Sequence, residues 1–235
     1  IIPTGIDVTR FYKENVNMKD VLELKKELNI KSSDFTILYV GRIAKEKSID
    51  FLINNLSDLT KKISKVKMII VGDGPDMKYL TELANKKKLN KYITFTGKVP
   101  WDEVPKYYQL ADVFVTSSKT ETQGLTVLEA MAASKPVVAV DDESFRIVIR
   151  NEQDGILFNT EEEYKDAIIK LYKDDKYRRL IEKQARITAN GYSSKVYAKR
   201  VLEVYKLVLD RDTNLLKKTV HKIKKVLKKE DVTHE

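Results

Sequence analysis

The sequence predicts a doubly wound α/β domain, in which helices cover both faces of a parallel sheet. Two observations carry this prediction: six short apolar runs, and helix-like stretches between them. The runs are rich in β-branched residues and lack strict alternation with polar residues, which is typical of strands buried on both faces. Strands that alternate with helices along a chain favour a parallel sheet.

The predicted strands and connecting helices follow one another along the chain. The expected strands are Thr36–Val40, Lys67–Val71, Tyr92–Thr96, Asp112–Thr116, Pro136–Val140 and Gly155–Phe158. Helices are predicted at Ser48–Ile63 and Met77–Lys88, because their large apolar residues recur three and four positions apart. Another helix is expected to begin at Gly124 and to pack on the sheet through Leu125 and Leu128.

The C-terminal part contains helical patterns without further strands. Three helices are expected, at Tyr164–Leu180, Ile181–Ala189 and Ser194–Leu209. We therefore divide the chain into a domain over 1–210 and a tail over 211–235, with a linker at Asp210–Asn214. Within the tail, Leu215–Lys229 carries seven lysines and one apolar stripe, the pattern of a basic amphipathic helix. Because the chain begins at Ile1 without methionine, we expect it to be part of a longer protein.

Composition limits the chemistry of this chain. Its 235 residues, 42% of them hydrophobic, suit one domain with a substantial core. The absence of cysteine excludes disulfides and a cysteine nucleophile, and both histidines, His221 and His234, lie in the tail, away from any triad in the domain. The net charge of +9 favours anionic partners. With neither a membrane-spanning run nor a signal peptide, we expect a cytoplasmic protein.

The first candidate site is the basic loop Gly41–Lys47, directly after the first strand. Ligands of open α/β sheets bind beyond the carboxyl ends of the strands, where this loop is expected. Gly41 allows a close turn, Arg42 offers a planar fork for phosphate oxygens and Lys47 adds a compact charge. A solvated basic loop explains the same residues equally well.

The second candidate is the segment Thr120–Glu129, after the fourth strand. The helix expected from Gly124 would present free N–H groups and a favourable dipole to a phosphate. Glu121 and Glu129 are expected to project into the same crevice from two depths. Taken singly, a carboxylate at a helix entry and an exposed glutamate paired with lysine are the simpler explanations.

Two glycine-containing turns complete the set. Val71-Gly72-Asp73-Gly74-Pro75 lacks the third glycine of a dinucleotide-binding loop, so we favour a tight strand-to-helix turn with Pro75 at the first helical position. At Gly97 and Lys98 the backbone could lie against a flat group and read the edge of a base. A plain turn explains these two residues equally well.

Five segments together match one family in order and spacing. They are Pro3-Thr4-Gly5-Ile6-Asp7, Tyr39-Val40-Gly41-Arg42 with Lys45–Lys47, Val71–Pro75, Phe95-Thr96-Gly97, and the pair Glu121 and Glu129 separated by seven residues. From Ile2 to about Ala189, the chain resembles the C-terminal, donor-binding half of a family-4 retaining glycosyltransferase. Such enzymes have the GT-B fold, and this half is a Rossmann-like domain.

The resemblance implies a role for each candidate residue. Arg42 and Lys47 would grip the diphosphate of a nucleotide sugar, Glu121 the transferred sugar and Glu129 the ribose. Backbone donors would come from Thr122, Gln123, Gly124 and Leu125, and the base would lie near Gly97 and Lys98. Arg42, Lys47 and Glu121 would be the catalytic group. Two cations and a helix N-terminus can stabilise a leaving diphosphate without a metal, so no metal or other cofactor is expected.

The chain departs from the family pattern at two places. Thr4 replaces the usual asparagine, and Asp141–Phe145 replaces a glycine-containing loop. Together with Thr122–Gly124, the second loop looks similar to bacterial diacylglycerol glucosyltransferases. That similarity implies UDP-glucose as donor, a lipid acceptor and a separate N-terminal domain as partner, without which this chain would bind donor but not turn over.

Alternatives remain open for the acceptor and for the class of function. A polysaccharide, cell-wall or protein-linked glycan acceptor would leave the donor site unchanged, and a non-catalytic nucleotide-sugar-binding module would share it. Nucleic-acid binding is not expected, because basic and aromatic residues do not interleave outside the tail. Leu215–Lys229 could lie on the anionic inner face of the cell membrane, or could be a solvated helix.

Overall fold

A six-stranded parallel sheet forms the centre of the protein. The structure, a computed structural model, describes the backbone of residues 2–230 and the side chains of 2–210, Thr213 and Lys217. Its strands are β1 Phe35–Val40, β2 Val66–Val71, β3 Ile93–Gly97, β4 Val113–Thr116, β5 Val137–Val140 and β6 Ile156–Phe158. They lie in the order β3-β2-β1-β4-β5-β6. The predicted parallel α/β fold is confirmed.

Burial explains why these apolar runs form strands. β1 and β2 pair along their whole length, from Phe35 opposite Val66 to Val40 opposite Val71. All residues of β4 and β5 are buried, as is nearly all of β1 and β2. A strand covered by helices on both faces has no solvent side, so alternation with polar residues is lost.

Helices pack on both faces of the sheet. Along the described chain they are α1 Met18–Glu27, α2 Ile49–Lys62, α3 Met77–Lys86, α4 Val104–Leu110, α5 Leu125–Ala132, α6 Glu143–Arg146, α7 Glu161–Lys173, α8 Asp175–Asn190 and α9 Ser194–Glu230. In α2 the predicted apolar face is buried, with Leu52, Ile53 and Leu56 inaccessible to solvent. The helices predicted between the strands are therefore confirmed to within a few residues.

The structure corrects two predicted helix boundaries. The division between the helices expected at Tyr164–Leu180 and Ile181–Ala189 falls instead at Asp174, whose side chain accepts a hydrogen bond from the backbone N–H of Tyr177 at 2.8 Å. An N-cap of this kind starts a new helix. Likewise, α3 begins at Met77 with Asp76 as its N-cap, so Pro75 lies in the preceding turn rather than at the first helical position.

The predicted linker at Asp210–Asn214 is wrong, because α9 runs through these residues without a break. The segment contains no glycine or proline, and the Thr213 hydroxyl donates to the carbonyl oxygen of Leu209 at 2.9 Å within the helix. Residues 6–193 form one compact unit, whereas α9 and residues 2–5 belong to a second. The side chains of the predicted basic amphipathic helix Leu215–Lys229, apart from that of Lys217, lie outside the described residues.

Gly72-Asp73-Gly74 forms a tight turn between β2 and α3, as predicted from the sequence. A Cβ atom on Gly72, whose φ is +135°, would stand 1.9 Å from the carbonyl oxygen of Gly41, and one on Gly74 would stand 2.1 Å from that of Ile43. The backbone N–H of Ile43 donates to the carbonyl oxygen of Asp73 at 3.0 Å. The two glycines thus let the loops that follow β1 and β2 lie directly against each other.

Lys135 gives the domain a predicted pH dependence of stability. Its ammonium donates to the carbonyl oxygen of Gln109 at 3.2 Å, and burial lowers its pKa to about 8, partly offset by Asp112 and Glu182. The unfolded lysine keeps a pKa near 10.4, so the unfolded state binds more protons between these values and stability from this group rises with pH. Relative to Lys135→Met, the wild type should gain on the order of 1–2 kcal/mol between pH 7.5 and 9.5.

Urea unfolding of both proteins at the two pH values measures this difference. Using the difference between the two proteins cancels the titration of buried tyrosines, which both of them share. Parallel losses or gains in the wild type and in Lys135→Met would contradict the burial of this ammonium.

Candidate functional site

A cleft opens where the strand order reverses, between β1 and its neighbour β4. The connections from these two strands leave the sheet in opposite directions, and ligands of doubly wound folds bind at this point. The cleft has a volume of about 390 Å³. Its lining comes from the end of β1 and the following loop, and from the end of β4, its loop and the start of α5: Tyr39, Val40, Gly41, Arg42, Glu46, Lys47, Thr116, Glu121, Thr122, Gln123, Gly124, Leu125 and Thr126.

An ion pair joins the two sides of the cleft. Lys47 Nζ lies 2.6 Å from Glu121 Oε1, and the side chains are 17% and 25% exposed. The loops behind this pair are tied together by the Ser117 hydroxyl, which donates to the carbonyl oxygen of Ser48 at 2.7 Å. The cation and the carboxylate are thus held in one place before any ligand enters.

Arg42 lies at the rim of the cleft and, unlike Lys47, is mostly exposed. Its side chain is 67% exposed, and its guanidinium lies 3.6 Å from the carboxylate of Glu46, a distance typical of a weak surface pair. Behind it, the Tyr39 hydroxyl donates to the Arg42 carbonyl oxygen at 3.1 Å, so the backbone is fixed while the guanidinium is not. Burial, with Glu121 and Glu46 nearby, raises the pKa of Tyr39, which keeps this hydroxyl neutral.

The N-terminus of α5 forms the floor of the cleft. Gly124 is its N-cap, with φ of +57° and no side-chain cap on the first turn. The N–H groups of a first turn have no partner within the helix, so those of Leu125 and Thr126 are available to an anion. A Cβ atom on Gly124 would stand 3.2 Å from the ring of Phe145, which packs beneath this turn.

Glu129 lies one turn further along α5, outside the lining of the cleft. Its Oε2 atom accepts a hydrogen bond of 2.8 Å from the hydroxyl of Tyr108, a fully buried residue. Burial raises the pKa of Glu129, while the Tyr108 hydroxyl and the charge of Arg10 act in the opposite direction. Glu129 is thus a half-buried carboxylate bound to tyrosine, and the lysine pairing considered from the sequence is absent from its described contacts.

The loop that replaces the glycine-containing segment is built from local hydrogen bonds. Arg146 binds both oxygens of Asp141, at 2.7 and 2.9 Å, and these bonds lower the pKa of that carboxyl. Asp142 caps α6 by accepting from the backbone N–H of Ser144 at 3.0 Å and from its hydroxyl at 2.6 Å. Both acidic side chains are therefore used to hold the loop in shape.

Gly97 and Lys98 lie apart from the cleft lining, at the end of β3. Gly97 has φ of +70°, and a Cβ atom there would meet nothing within 4 Å, so the backbone is open on that side. Nearby in the chain, Trp101 is 64% exposed and stacks against the guanidinium of Arg10, 3.0 Å from the ring centroid. Arg10 also donates to the Trp101 carbonyl oxygen at 2.8 Å.

The structure gathers eight of the eleven predicted site residues around one cleft. The three outside its lining are Gly97, Lys98 and Glu129. Five lining residues were not among the predicted site residues, although their position beside or within the candidate loops was a usable signal: Tyr39, Val40 and Thr116 at the ends of strands, Glu46, and Thr126. Sequence reasoning also missed Tyr108, whose contact with α5 leaves no local pattern.

The described part of the chain lacks two further features. Among the side chains that the structure describes, no group of three or more histidines and carboxylates is placed so that it could hold a metal ion. Over the same part of the chain, no helix is long and apolar enough to cross a membrane.

Comparisons with known proteins agree with this geometry. Residues 20–192 match the family model described as glycosyl transferases group 1. Two relatives are alpha-monoglucosyldiacylglycerol synthases: the Acholeplasma laidlawii protein is 39% identical over 93% of this chain and 55% of its own length, and the Streptococcus pneumoniae protein is 32% identical over 84% and 45%. The chain thus spans about half the length of these relatives.

A solved structure shows the same fold. The Anabaena protein HepE, crystallised with UDP and with UDP-glucose, superimposes with TM-scores of 0.77 and 0.76 at 21% identity, over 86% of this chain and 56% of its own. The match of the family model covers most of the chain and includes every residue of the cleft. This chain therefore belongs to the group 1 glycosyl transferases.

Proposed function

We propose that this chain is the donor-binding half of a glycosyltransferase that moves glucose from UDP-glucose to a lipid acceptor such as diacylglycerol. The observation that carries the proposal is the cleft at the strand-order reversal, with Lys47 and Glu121 paired across it. The names of the two bacterial synthases support the lipid acceptor, and the UDP-glucose complex of HepE supports the donor.

The diphosphate of the donor is assigned to the basic side of the cleft. Lys47 lies at the cleft wall and Arg42 at its rim, and the exposed Arg42 guanidinium can turn inward to form a bidentate contact with phosphate oxygens. The first turn of α5 adds backbone N–H groups and the positive end of the helix dipole. The two cations and the positive end of the helix dipole can together balance the two negative charges of the diphosphate without a metal ion.

The sugar and the nucleoside are assigned to the remaining predicted residues. Glu121, paired with Lys47, accepts hydrogen bonds from hydroxyls of the hexose, and backbone groups of Thr122–Leu125 surround it. Glu129 accepts from the ribose hydroxyls. The base is assigned to the backbone at Gly97 and Lys98, which is open to solvent beside Gly97. These assignments follow the family resemblance, and the arrangement of charges is compatible with them.

The reaction breaks the bond between the anomeric carbon and the β-phosphate oxygen, and forms a bond from that carbon to the acceptor hydroxyl. The electron pair leaves with UDP, where Arg42, Lys47 and the α5 N-terminus stabilise the charge. The acceptor proton passes to a phosphate oxygen on the same face of the sugar, so the anomeric configuration is retained. Glu121 serves as a sugar ligand in this scheme, because its carboxylate is already paired with Lys47.

The acceptor is assigned to a separate N-terminal domain across the cleft. The chain spans about half the length of the two synthases, which accords with a second half that binds the acceptor. This chain alone then binds the donor without turnover. We propose that Leu215–Lys229 binds the anionic inner face of the cell membrane. Nucleic acid has no part in this proposal.

The test is a transfer assay on the complete protein in EDTA. Radiolabelled UDP-glucose is supplied with diacylglycerol vesicles, and separately with a soluble glucan, a cell-wall polymer and a glycopeptide. We expect labelled glycolipid with the α-configuration of the donor, seen as the anomeric coupling constant in NMR spectra. Transfer only to a glycan would contradict the lipid acceptor. A product with inverted anomeric configuration would contradict the proposed mechanism. Tight donor binding without transfer to any acceptor would favour a non-catalytic nucleotide-sugar-binding module.

A further inference from the structure

The contact between Tyr108 and Glu129 connects a buried aromatic residue to the proposed ribose ligand. Tyr108 OH donates to Glu129 Oε2 at 2.8 Å and lies 3.2 Å from the carbonyl oxygen of Thr126, in the first turn of α5. We propose that Tyr108 is a positioning residue, which orients the Glu129 carboxylate so that the site binds ribonucleotides more tightly than 2′-deoxyribonucleotides. This inference rests on the proposed function.

The tyrosine ring is held rigidly. It is inaccessible to solvent and packs edge-on against Phe11, with ring centroids 5.6 Å apart and planes at 83°. On another side lies Phe114 of β4, at 5.8 Å. Phe11 is itself anchored, because its carbonyl oxygen accepts a hydrogen bond of 2.7 Å from Gln109. A side chain locked by packing holds its hydroxyl at a fixed point, as orientation of a ligand-binding group requires.

The chemistry of the pair suits this role. Burial raises the pKa of Tyr108 well above 10, so the hydroxyl keeps its proton and acts as a donor. A carboxylate accepts at two oxygens. Since Tyr108 occupies one lone pair of Oε2, Oε1 and the other lone pairs stay open to vicinal hydroxyls. Burial raises the pKa of Glu129, and the Tyr108 hydroxyl and the charge of Arg10 partly offset that rise.

Helix geometry places the Glu129 side chain on the face of α5 that also carries Leu125. Side chains of a helix lean toward its N-terminus, and residues four apart share a face. Glu129 therefore leans over the turn that carries Leu125, which lines the cleft. Without Tyr108, the three rotatable bonds of this glutamate would allow other orientations at similar cost.

The test is Tyr108→Phe in the complete protein, titrated with UDP and with 2′-deoxy-UDP. We expect the wild type to prefer UDP by at least tenfold, because a buried acceptor left without its hydroxyl is penalised. In Tyr108→Phe, the affinity for UDP should fall about tenfold while that for 2′-deoxy-UDP stays unchanged, so that the preference disappears.

Tyr107→Phe is the matched control, since Tyr107 is a buried tyrosine at the adjacent position of α4. It should leave both affinities at wild-type values. Adding Glu129→Gln to Tyr108→Phe should change the UDP preference no further, because both substitutions remove the same oriented acceptor.

Each other outcome has a definite meaning. If Tyr108→Phe lowers the melting temperature but keeps the UDP preference, Tyr108 is merely structural and the inference is overturned. A wild type that binds UDP without preferring it overturns the inference but leaves the proposed donor site standing, whereas a wild type that binds neither nucleotide overturns both. Should Tyr108→Phe not fold, Glu129→Gln alone decides, and an unchanged preference in that variant contradicts the inference.

Discussion

Replacing Lys47 by alanine is expected to lower kcat of the complete enzyme by a factor on the order of 100 to 1,000. Lys47 is a partly buried cation on the cleft wall, 2.6 Å from Glu121. In this position it is available to the negative charge that develops on the leaving diphosphate. A cation held in place before the reaction stabilises that charge without reorganisation.

Lys45→Ala is the matched control for this experiment. Lys45 and Lys47 lie in the same single-turn segment Lys45–Lys47, yet Lys45 is exposed and absent from the cleft lining. Its loss should leave kcat within about twofold of the wild type, because an exposed charge at a distance is screened by salt. Equal activities of the two variants would show that Lys47 has no special place in the reaction.

Replacing Gly72 by alanine is expected to destabilise the domain by more than about 4 kcal/mol, enough to abolish folding of many proteins. The added Cβ atom would stand 1.9 Å from the carbonyl oxygen of Gly41, and φ is +135°, where side chains are strained. The obstacle is backbone, so no side-chain rotation relieves it. The loop after β1, which carries Arg42 and Lys47, would have to move away from the sheet edge.

Gly97→Ala separates the two causes of this effect. Gly97 shares a positive φ of +70°, but its Cβ position is free of contacts within 4 Å. We expect it to cost only the conformational strain, roughly 1–2 kcal/mol. Circular dichroism and urea unfolding of both variants give the comparison, and a loss at Gly72 no greater than at Gly97 would refute the role of close backbone packing.

Much of the fold could be predicted because its signals are local. Buried parallel strands appear as apolar runs, and the helices between them as periodic patterns. Short or shallowly packed helices were missed: α4 and α6 have only seven and four residues, and α1 buries only Val21, although α1 and α4 pack against each other. The helix boundary at Asp174 was also misplaced, since apolar spacing continues through it and only the capping aspartate marks the break.

For the candidate site, the positions of residues near the cleft could be predicted, but the contacts between them could not. Arg42, Lys47 and Glu121 could be predicted because each follows a strand at the edge where parallel strands end. That Lys47 and Glu121 bind each other could not be predicted, because a separation of 74 positions along the chain carries no distance information. The bond from Tyr108 to Glu129 and the stacking of Arg10 on Trp101 likewise depend on tertiary packing of separate elements.

The central claim is that the cleft between β1 and β4 holds a nucleotide sugar without a metal ion. Calorimetric titration of the complete protein in EDTA tests it most directly, using UDP-glucose, UDP-galactose, UDP-N-acetylglucosamine and GDP-mannose with wild type and Arg42→Ala. We predict that UDP-glucose binds most tightly in EDTA and that Arg42→Ala weakens it at least tenfold. Absence of binding by all four donors, or binding that Arg42→Ala leaves unchanged, would contradict the account.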